Sequence, residues 1–515
     1  MTLRRRRPLI AAAATLTLMT SIAACSLGGS TDGSGDTTGD ETGDGGGGDL
    51  VVAGPIPIEN LDPHGAASMD AGTQLAARAI FSQLLVSTGQ GEFDGELAES
   101  WESNDDASVW TFALRAGVTY SDGSPVTADD VVASFERVLA AEGPLAGNFG
   151  GYTVAAPDDA TVVFTSPTPD AAFLGKISSF FVTPAGAAED GFFSDPVGSG
   201  PFLVESFEPG ATLRLSPNPD YWDGEPEIAS LELQSIPETA ARMTALQTGE
   251  VDITWSMPDD QIAELRTNAE LTVETVPSPG VFTMWFNSST PALEDPAVRR
   301  ALWQAVDFEE IIASLYPETG TPADAPVSPT VLGYAPQEPV AYDPDAARAA
   351  LEAAGFDFEN TVLRWQFSQA SFRNFMNAVV SDLAEIGVTV EPLEKEQAVF
   401  LEDLLALNWD MNMQQLGSQG YDAATNLGRL YTCEANRMGY CNPELDDLLA
   451  AAGSTSDTAE REDLYAQATE IIWNDAVGMY PMFVETPYAW QNRVEGFTPV
   501  SDGIPYFDEV TVSGD

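Results

Sequence analysis

The chain has 515 residues, 44% of them hydrophobic, with 10 tryptophans, and 80 acidic against 21 basic side chains give a formal net charge of -59. That apolar content excludes an intrinsically disordered chain, and the length exceeds what one hydrophobic core supports, so two or three domains are expected. So acidic a surface repels phosphates and anionic headgroups, which excludes nucleic acid as a partner and keeps an exported protein soluble; an acidic field that recruits cationic ligands is the alternative reading.

The N-terminal 24 residues carry the marks of a secretory signal. Arg4, Arg5, Arg6 and Arg7 precede an apolar run from Leu9 to Ala24, too short for a spanning helix of roughly 20 apolar residues. The quartet Ile22-Ala23-Ala24-Cys25 looks like a bacterial lipobox. On that reading Cys25 becomes the first mature residue and bears a diacylglyceryl anchor, and the protein sits on the extracytoplasmic face of the cell membrane. An ordinary small-residue cleavage site that leaves Cys25 incidental is the alternative. Residues 25–49 are rich in Gly, Ser, Thr and Asp and read as a flexible tether. A lipid on Cys25 leaves the other two cysteines, Cys433 and Cys441, as an even pair in an oxidising setting. A bridge there would close a short loop and contribute roughly 2–3 kcal/mol in a chain-entropy model; two free thiols are the alternative.

Beyond the tether, strands and helices alternate. Val51 to Ala53 reads as a first strand, and Ala71 to Val86 has helical spacing through Leu75, Ala79 and Leu84. Val109 to Leu114 alternates as a strand. Thr127 to Ala141 predicts a helix capped by Thr127, with Asp129 and Asp130 in its first turn. Asp295-Pro296 and Asp343-Pro344 each pair a cap with proline at the first helical position; the first of these helices should bury Val298, Leu302, Ala305 and Val306, and Gly355 should end the second. Further strands are expected at Leu213 to Leu215, Leu231 to Ile236, Val281 to Phe286 and Thr361 to Phe367. Together these predict a mixed α/β (α+β) architecture of helix-covered sheets.

An ordered set of short motifs runs through the mature chain. Leu97-Ala98-Glu99-Ser100-Trp101 leads to Trp110-Thr111-Phe112, Tyr120-Ser121-Asp122-Gly123-Ser124-Pro125 and Thr127-Ala128-Asp129-Asp130-Val131. Gly198-Ser199-Gly200-Pro201-Phe202, Asn218-Pro219-Asp220-Tyr221-Trp222, Leu246-Gln247-Thr248-Gly249-Glu250-Val251-Asp252, Asn287, Val298-Arg299-Arg300-Ala301-Leu302 and Tyr342-Asp343-Pro344 follow in order. This succession resembles family 5 of the bacterial extracellular solute-binding proteins, the dipeptide and oligopeptide receptors of ABC importers. The resemblance implies a type II periplasmic-binding-protein-like fold of two lobes with an extra inserted domain, and a ligand cleft between the lobes. Lobe I would comprise 50–87, 190–284 and 478–515, domain II 88–189, and lobe III 285–477. It also implies a monomer that takes a peptide or other small solute to ABC permease subunits, with no cofactor and no metal. The motif glycines and prolines read as turn and cap residues of the scaffold.

The site is less legible. In dipeptide receptors of this kind an acid lies a fixed distance before the first disulfide cysteine; that position is Gln419 here, with Asp422 the neighbouring acid. Arg373 is the nearest candidate for the cation that would hold a ligand carboxylate. The amide-rich stretch Met413 to Asp422, with Gln414, Gln415, Gln419, Tyr421 and Asp422, is the leading pocket segment, a plain surface loop being its alternative. The second is Pro63 to Met69, where His64, Ser68 and Met69 are expected to line the cleft. A lone His64 is a poor metal site and equally suits a turn. A receptor for a sugar oligomer or a metal chelate remains open. A secreted hydrolase is disfavoured by one histidine and no G-x-S-x-G turn.

Overall fold

The computed structural model describes residues 47–188 and 191–513, except for the Gln419 side chain. The signal segment, Cys25 and nearly all of the tether lie outside them. The tether is shorter than its composition suggests. Gly47 donates to the Glu227 carbonyl (3.1 Å) and Gly48 to that of Val512 (3.2 Å), and Asp49 already opens the first strand, Asp49–Gly54.

Local signals set most helices. Thr127 heads Ala128–Ala141 in a capping box, its amide donating to the Asp130 carboxylate at 2.9 Å. Asp295 accepts from Ala297 N (2.8 Å) at the start of Pro296–Gln304. Asp343 accepts from Ala346 N (2.9 Å) at the start of Pro344–Ala353. Val298, Leu302, Ala305 and Val306 are buried as expected. The helix predicted over Ala71 to Val86 stops earlier, at Ile80. Tertiary contact ends it. The Ile80 carbonyl accepts from Gly200 N (3.0 Å), the Ser82 hydroxyl donates to Ser199 O (3.1 Å), and the chain continues as strands Ser82–Gln83 and Leu85–Gly89. A Cβ on Gly198 or Gly200 would overlap the Ile80 backbone, which is why that motif needs glycine.

Twelve strands form one mixed sheet. The order is Phe202–Glu208, Thr212–Pro217, Ser230–Ser235, Asp49–Gly54, Ile253–Trp255, Met482–Gln491, Leu271–Phe286, Met411–Gly417, Val362–Phe367 and Thr389–Glu394, with Gly320–Pro322 and Gly478–Met479 on the two central strands. Three large hydrophobic cores lie along the body. One gathers Leu50, Leu213, Leu231, Ile253, Tyr488 and Trp490. A second, drawn from residues 84–182 and backed by the four-stranded sheet that includes Val109–Leu114, is rich in Phe; Phe135 lies 5.1 Å from both Phe149 and Phe164. The third holds Trp285, Trp365, Trp409, Trp473 and Tyr480. Each fully buried aromatic contributes on the order of 1.5–3 kcal/mol.

Two antiparallel strands link the first core to the third. In Leu271–Phe286, Val276 packs on the first core while Val281 to Phe286 belong to the third. In Met482–Gln491, Phe483 belongs to the third and Tyr488 to the first. Their register runs from Leu271↔Gln491 to Pro277↔Glu485, then shifts before Val281↔Phe483. Pro277, Ser278, Pro279 and Gly280 occupy the break. Two prolines without amide donors in so short a run interrupt the ladder.

Candidate functional site

Beside that break lies a cavity of about 350 Å³, within the size range of small-ligand sites. Segments that run beside all three cores contribute to it. Met69, Gln74 and Arg78 come from the first helix and the turn before it. Ser87, Ser178 and Ser179 come from the second region, Gly417, Ser418, Gly420 and Tyr421 from the third, and Asp502, Ile504 and Tyr506 from the C-terminal segment; Pro279 is the crossover's own contribution. A second depression of about 460 Å³ draws on residues 300–340 and 470–474 alone. It belongs to one core, so movement about the crossover would leave it unchanged.

The lining is polar and mostly engaged. Ser178 Oγ donates to Gly175 O (2.8 Å), and Ser418 Oγ accepts from Asn426 Nδ2 (3.0 Å). The Gln74 amide donates to the Ser68 carbonyl. Tyr421 holds a left-handed backbone at φ 54°, a strained conformation for a bulky residue, and its carbonyl accepts from Leu332 N at 2.8 Å. Burial pushes its phenol well up. Gly420 (φ 65°) lies so close to Gly175 that a Cβ on it would overlap that backbone.

One ion pair stands in the wall. Arg78 donates through Nη2 to Asp502 Oδ2 and through Nη1 to Asp502 Oδ1 (3.3 Å) and to the Ile504 carbonyl. Its guanidinium lies 4.5 Å over the Tyr506 ring, a favourable cation–π placement. Burial opposes the Arg78 charge, but the Asp502 carboxylate together with Tyr506 and Tyr421 outweighs this, and the guanidinium is held above its ordinary value. Arg78 Nε and the Tyr506 hydroxyl are buried without a hydrogen-bond partner.

The expected residues are distributed unevenly. Met69 and Tyr421 reach the cavity wall, together with Gly417, Ser418 and Gly420 of the amide-rich stretch. Asp422 does not line it. Its carboxylate is 5% exposed and accepts both oxygens' bonds from Arg461 Nη2 (2.9 and 2.7 Å) while capping Ala424 N (2.9 Å). A ligand ammonium would have to displace that guanidinium. His64 is fully buried, with Nε2 2.8 Å from Phe181 O and its ring against Phe180 at 5.9 Å. Ser68 is also fully buried and accepts from Leu145 N (3.3 Å). Both hold the fold behind the wall. Gln414 donates to Asn412 Oδ1 (3.0 Å), and Gln415 sits exposed opposite Phe282; both belong to the strand Met411–Gly417 and lie off the wall. The Gln419 side chain is outside the described residues. Arg373 pairs with Glu394 on the surface (2.6 Å) and holds no site carboxylate. Cys433 and Cys441 are bonded as a disulfide, their Cα atoms 4.4 Å apart.

The sequence reading missed Arg78, Gln74, Asp502 and Tyr506. Arg78 left a signal: it is the one cation of an Ala-rich, otherwise uncharged helix, Ala71–Ile80. Asp502 offered only the Ser-Asp-Gly turn chemistry that loops share. The single histidine is bonded to a backbone carbonyl and not to a serine, so the wall's hydroxyls face no imidazole base. Among the described residues no cluster of three or more His, Cys, Asp or Glu could hold a metal, and no helix is long and apolar enough to cross a membrane.

Comparison with known proteins gives a consistent picture. The model of the bacterial extracellular solute-binding proteins, family 5 (middle region), matches residues 92–437. A probable D,D-dipeptide-binding periplasmic protein of Escherichia coli K12 is 29% identical over 472 residues, 87% of this chain and 91% of its own. Heme-binding protein A of Haemophilus influenzae is 27% identical over 491 residues, 85% and 88% of the two chains. The crystal structure of an ABC transporter substrate-binding protein from Listeria monocytogenes superposes with a TM-score of 0.81 at 25% identity, covering 91% of this chain and all of that one.

Proposed function

The chain belongs to family 5 of the bacterial extracellular solute-binding proteins, with their type II periplasmic-binding-protein-like fold, and on that premise we propose that it captures a peptide or peptide-like small solute in the 350 Å³ cavity and delivers it, chemically unchanged, to the permease of an ABC importer. One observation carries this reading. The cavity takes its walls from chain segments beside three hydrophobic cores and lies at the break of two strands that run from the first core to the third. Rotation about Pro277 to Gly280 would open and shut it, and such a rotation is how a two-lobed receptor reports occupancy. On this reading 50–87, 190–284 and 478–515 form one lobe, 88–189 an added domain, and 285–477 the opposing lobe. The protein acts as a monomer, tethered by a lipid on Cys25 to the outer face of the cell membrane.

The test is small-angle scattering and native mass spectrometry, before and after solute is stripped by partial unfolding. We expect a small molecule to leave with stripping and the radius of gyration to grow as the lobes part. Identical profiles with nothing released would reject solute capture. Separately, Cys25→Ala should move the protein from the membrane fraction to the soluble one with ligand affinity unchanged; wild-type membrane retention would remove the anchor.

A non-peptide solute is the second reading. The pairing of Asp422 with Arg461 supports it, because the acid expected to meet a peptide ammonium is already committed. That relatives named for a D,D-dipeptide and for heme resemble the chain almost equally points the same way.

A further inference from the structure

Most basic side chains among the described residues are paired with a carboxylate, as expected where 80 acids accompany 21 bases. The buried Arg242 and Arg299 are bonded to backbone carbonyls instead. Arg429 and Arg437 break the pattern, because among the described residues no carboxylate pairs with either. Arg429 spends only its Nε, on the Thr425 carbonyl (3.2 Å). Arg437 is half-buried and makes no hydrogen bond to a described residue; its Nε is shut off from water, but Nη1 and Nη2 are not.

A rigid loop on the third core holds the two together. Arg429 stands on the short helix Leu427–Leu430, and Leu427, Leu430, Tyr431 and Met438 all belong to that core. The chain then turns back: Asn436 N donates to Thr432 O (3.2 Å) and Ala435 N to Thr432 Oγ1 (3.2 Å), with Asn436 left-handed at φ 45°. The Cys433–Cys441 disulfide closes the loop, Asp446 accepts from Cys433 N (2.9 Å), and the Met438 carbonyl accepts from Ser288 N (2.8 Å). Arg437 is thereby fixed beside Arg429, and burial and the Arg437 charge together hold the Arg429 guanidinium below its ordinary value. Two like charges partly withdrawn from water without a counter-ion are costly, and a loop pinned in this way does not relieve them by moving. Neither residue lines the 350 Å³ cavity.

An anion between the guanidiniums removes that cost. A carboxylate or chloride cancels one charge. A doubly charged tetrahedral oxyanion cancels both and offers separate oxygens to two planar donor forks. We infer that Arg429 and Arg437 form a second binding site, on the disulfide loop, for a doubly charged oxyanion of the phosphate class, free or carried on a lipid headgroup. The inference does not depend on what the cavity captures.

The test is calorimetry on the full chain in about 0.15 M sodium chloride. The probes are sodium sulfate and, at about pH 8 where phosphate is the dianion, sodium phosphate, with sodium acetate as the monovalent control. Both dianions should bind at least about tenfold more tightly than acetate. Arg429→Gln and Arg437→Gln should each weaken sulfate at least about fivefold, and the double variant should lose the preference over acetate. Should a glutamine variant fail to fold, Arg437→Lys decides, since it keeps the charge without the fork: weakened sulfate binding upholds the site, and unchanged affinity overturns it. Vesicles bearing phosphatidic acid, offered to the Cys25→Ala chain, separate the two sources. Retention that inorganic phosphate competes away assigns the headgroup, and no retention assigns the free ion. Dianions that bind no more tightly than acetate, or a preference that survives in the double variant, overturn the inference and leave solute capture untouched.

Discussion

Two buried arginine–aspartate pairs in this molecule use the same chemistry for different ends. Arg461 and Asp422 are 6% and 5% exposed, and no fully buried side-chain atom of either lacks a partner. Arg461 donates to both Asp422 oxygens and to Ala452 O (3.1 Å), and Asp422 also accepts from Ala424 N. Arg78 and Asp502 are 11% and 26% exposed, stand in a cavity wall, and leave Arg78 Nε without a partner. A saturated pair staples a loop to a helix. The second pair lines a cavity and keeps part of its aspartate exposed. Sequence offers no way to tell them apart, since each is one Arg and one Asp far apart in the chain.

The sharpest way to break this comparison is to unpair the saturated site. Arg461→Met should leave the Asp422 carboxylate buried and uncompensated, at a cost of about 3–5 kcal/mol, read as a lower denaturation midpoint. A loss below about 1 kcal/mol would mean that the pair is no more structural than a surface bridge.

A slightly smaller effect is expected at His64, the framework's uncharged counterpart to the two pairs. Its Nε2 must donate to Phe181 O, so a second proton would go to Nδ1, which is buried without a partner. Loss of water around the ring pushes its pKa down from 6.5 to about 4. Between those values the unfolded chain binds more protons than the folded one, so stability rises with pH across the window. The contribution is complete above pH 6.5 and disappears as pH falls through about 4. His64→Gln keeps a donor for Phe181 and cannot titrate. The stability difference between wild type and this variant should therefore shift against wild type by roughly 3 kcal/mol on going from pH 7 to pH 4. A pH-independent difference would show that the ring charges freely.

The smallest effect on folding belongs to the cavity pair. Asp502→Asn keeps the hydrogen bond to Ile504 N (3.0 Å) but takes the anion from Arg78; with the aspartate side chain 26% exposed, it should cost about 1–2 kcal/mol, less than Arg461→Met. If it destabilised as much as Arg461→Met, the distinction between staple and cavity wall would collapse.

The legible parts of this protein are those decided within a few residues. Thr127 with Asp130, Asp295 with Pro296 and Asp343 with Pro344 set helix starts in the sequence and do so in the structure. The misreadings share a cause. Helical spacing continues from Ala71 past Ile80 into Leu84, but a distant glycine pair claims the Ile80 backbone and turns the chain into strands. The sequence singles out Asp422 as the acid matching dipeptide receptors; in the structure a residue 39 positions away pairs with its carboxylate. Met69 and Tyr421, both named from segments that carry loop chemistry of their own, stand in the cavity wall.

What the sequence determined by itself is the α/β alternation, the starts of the helices capped by Thr127, Asp295 and Asp343, the cysteine pairing and the family, all written in near-neighbour patterns or in ordered motifs. Only the tertiary structure decided which charges face the cavity. Arg78 and Asp502 meet across 424 positions, and no local preference reports such a meeting, because it depends on how three cores pack around the strand break at Pro277 to Gly280.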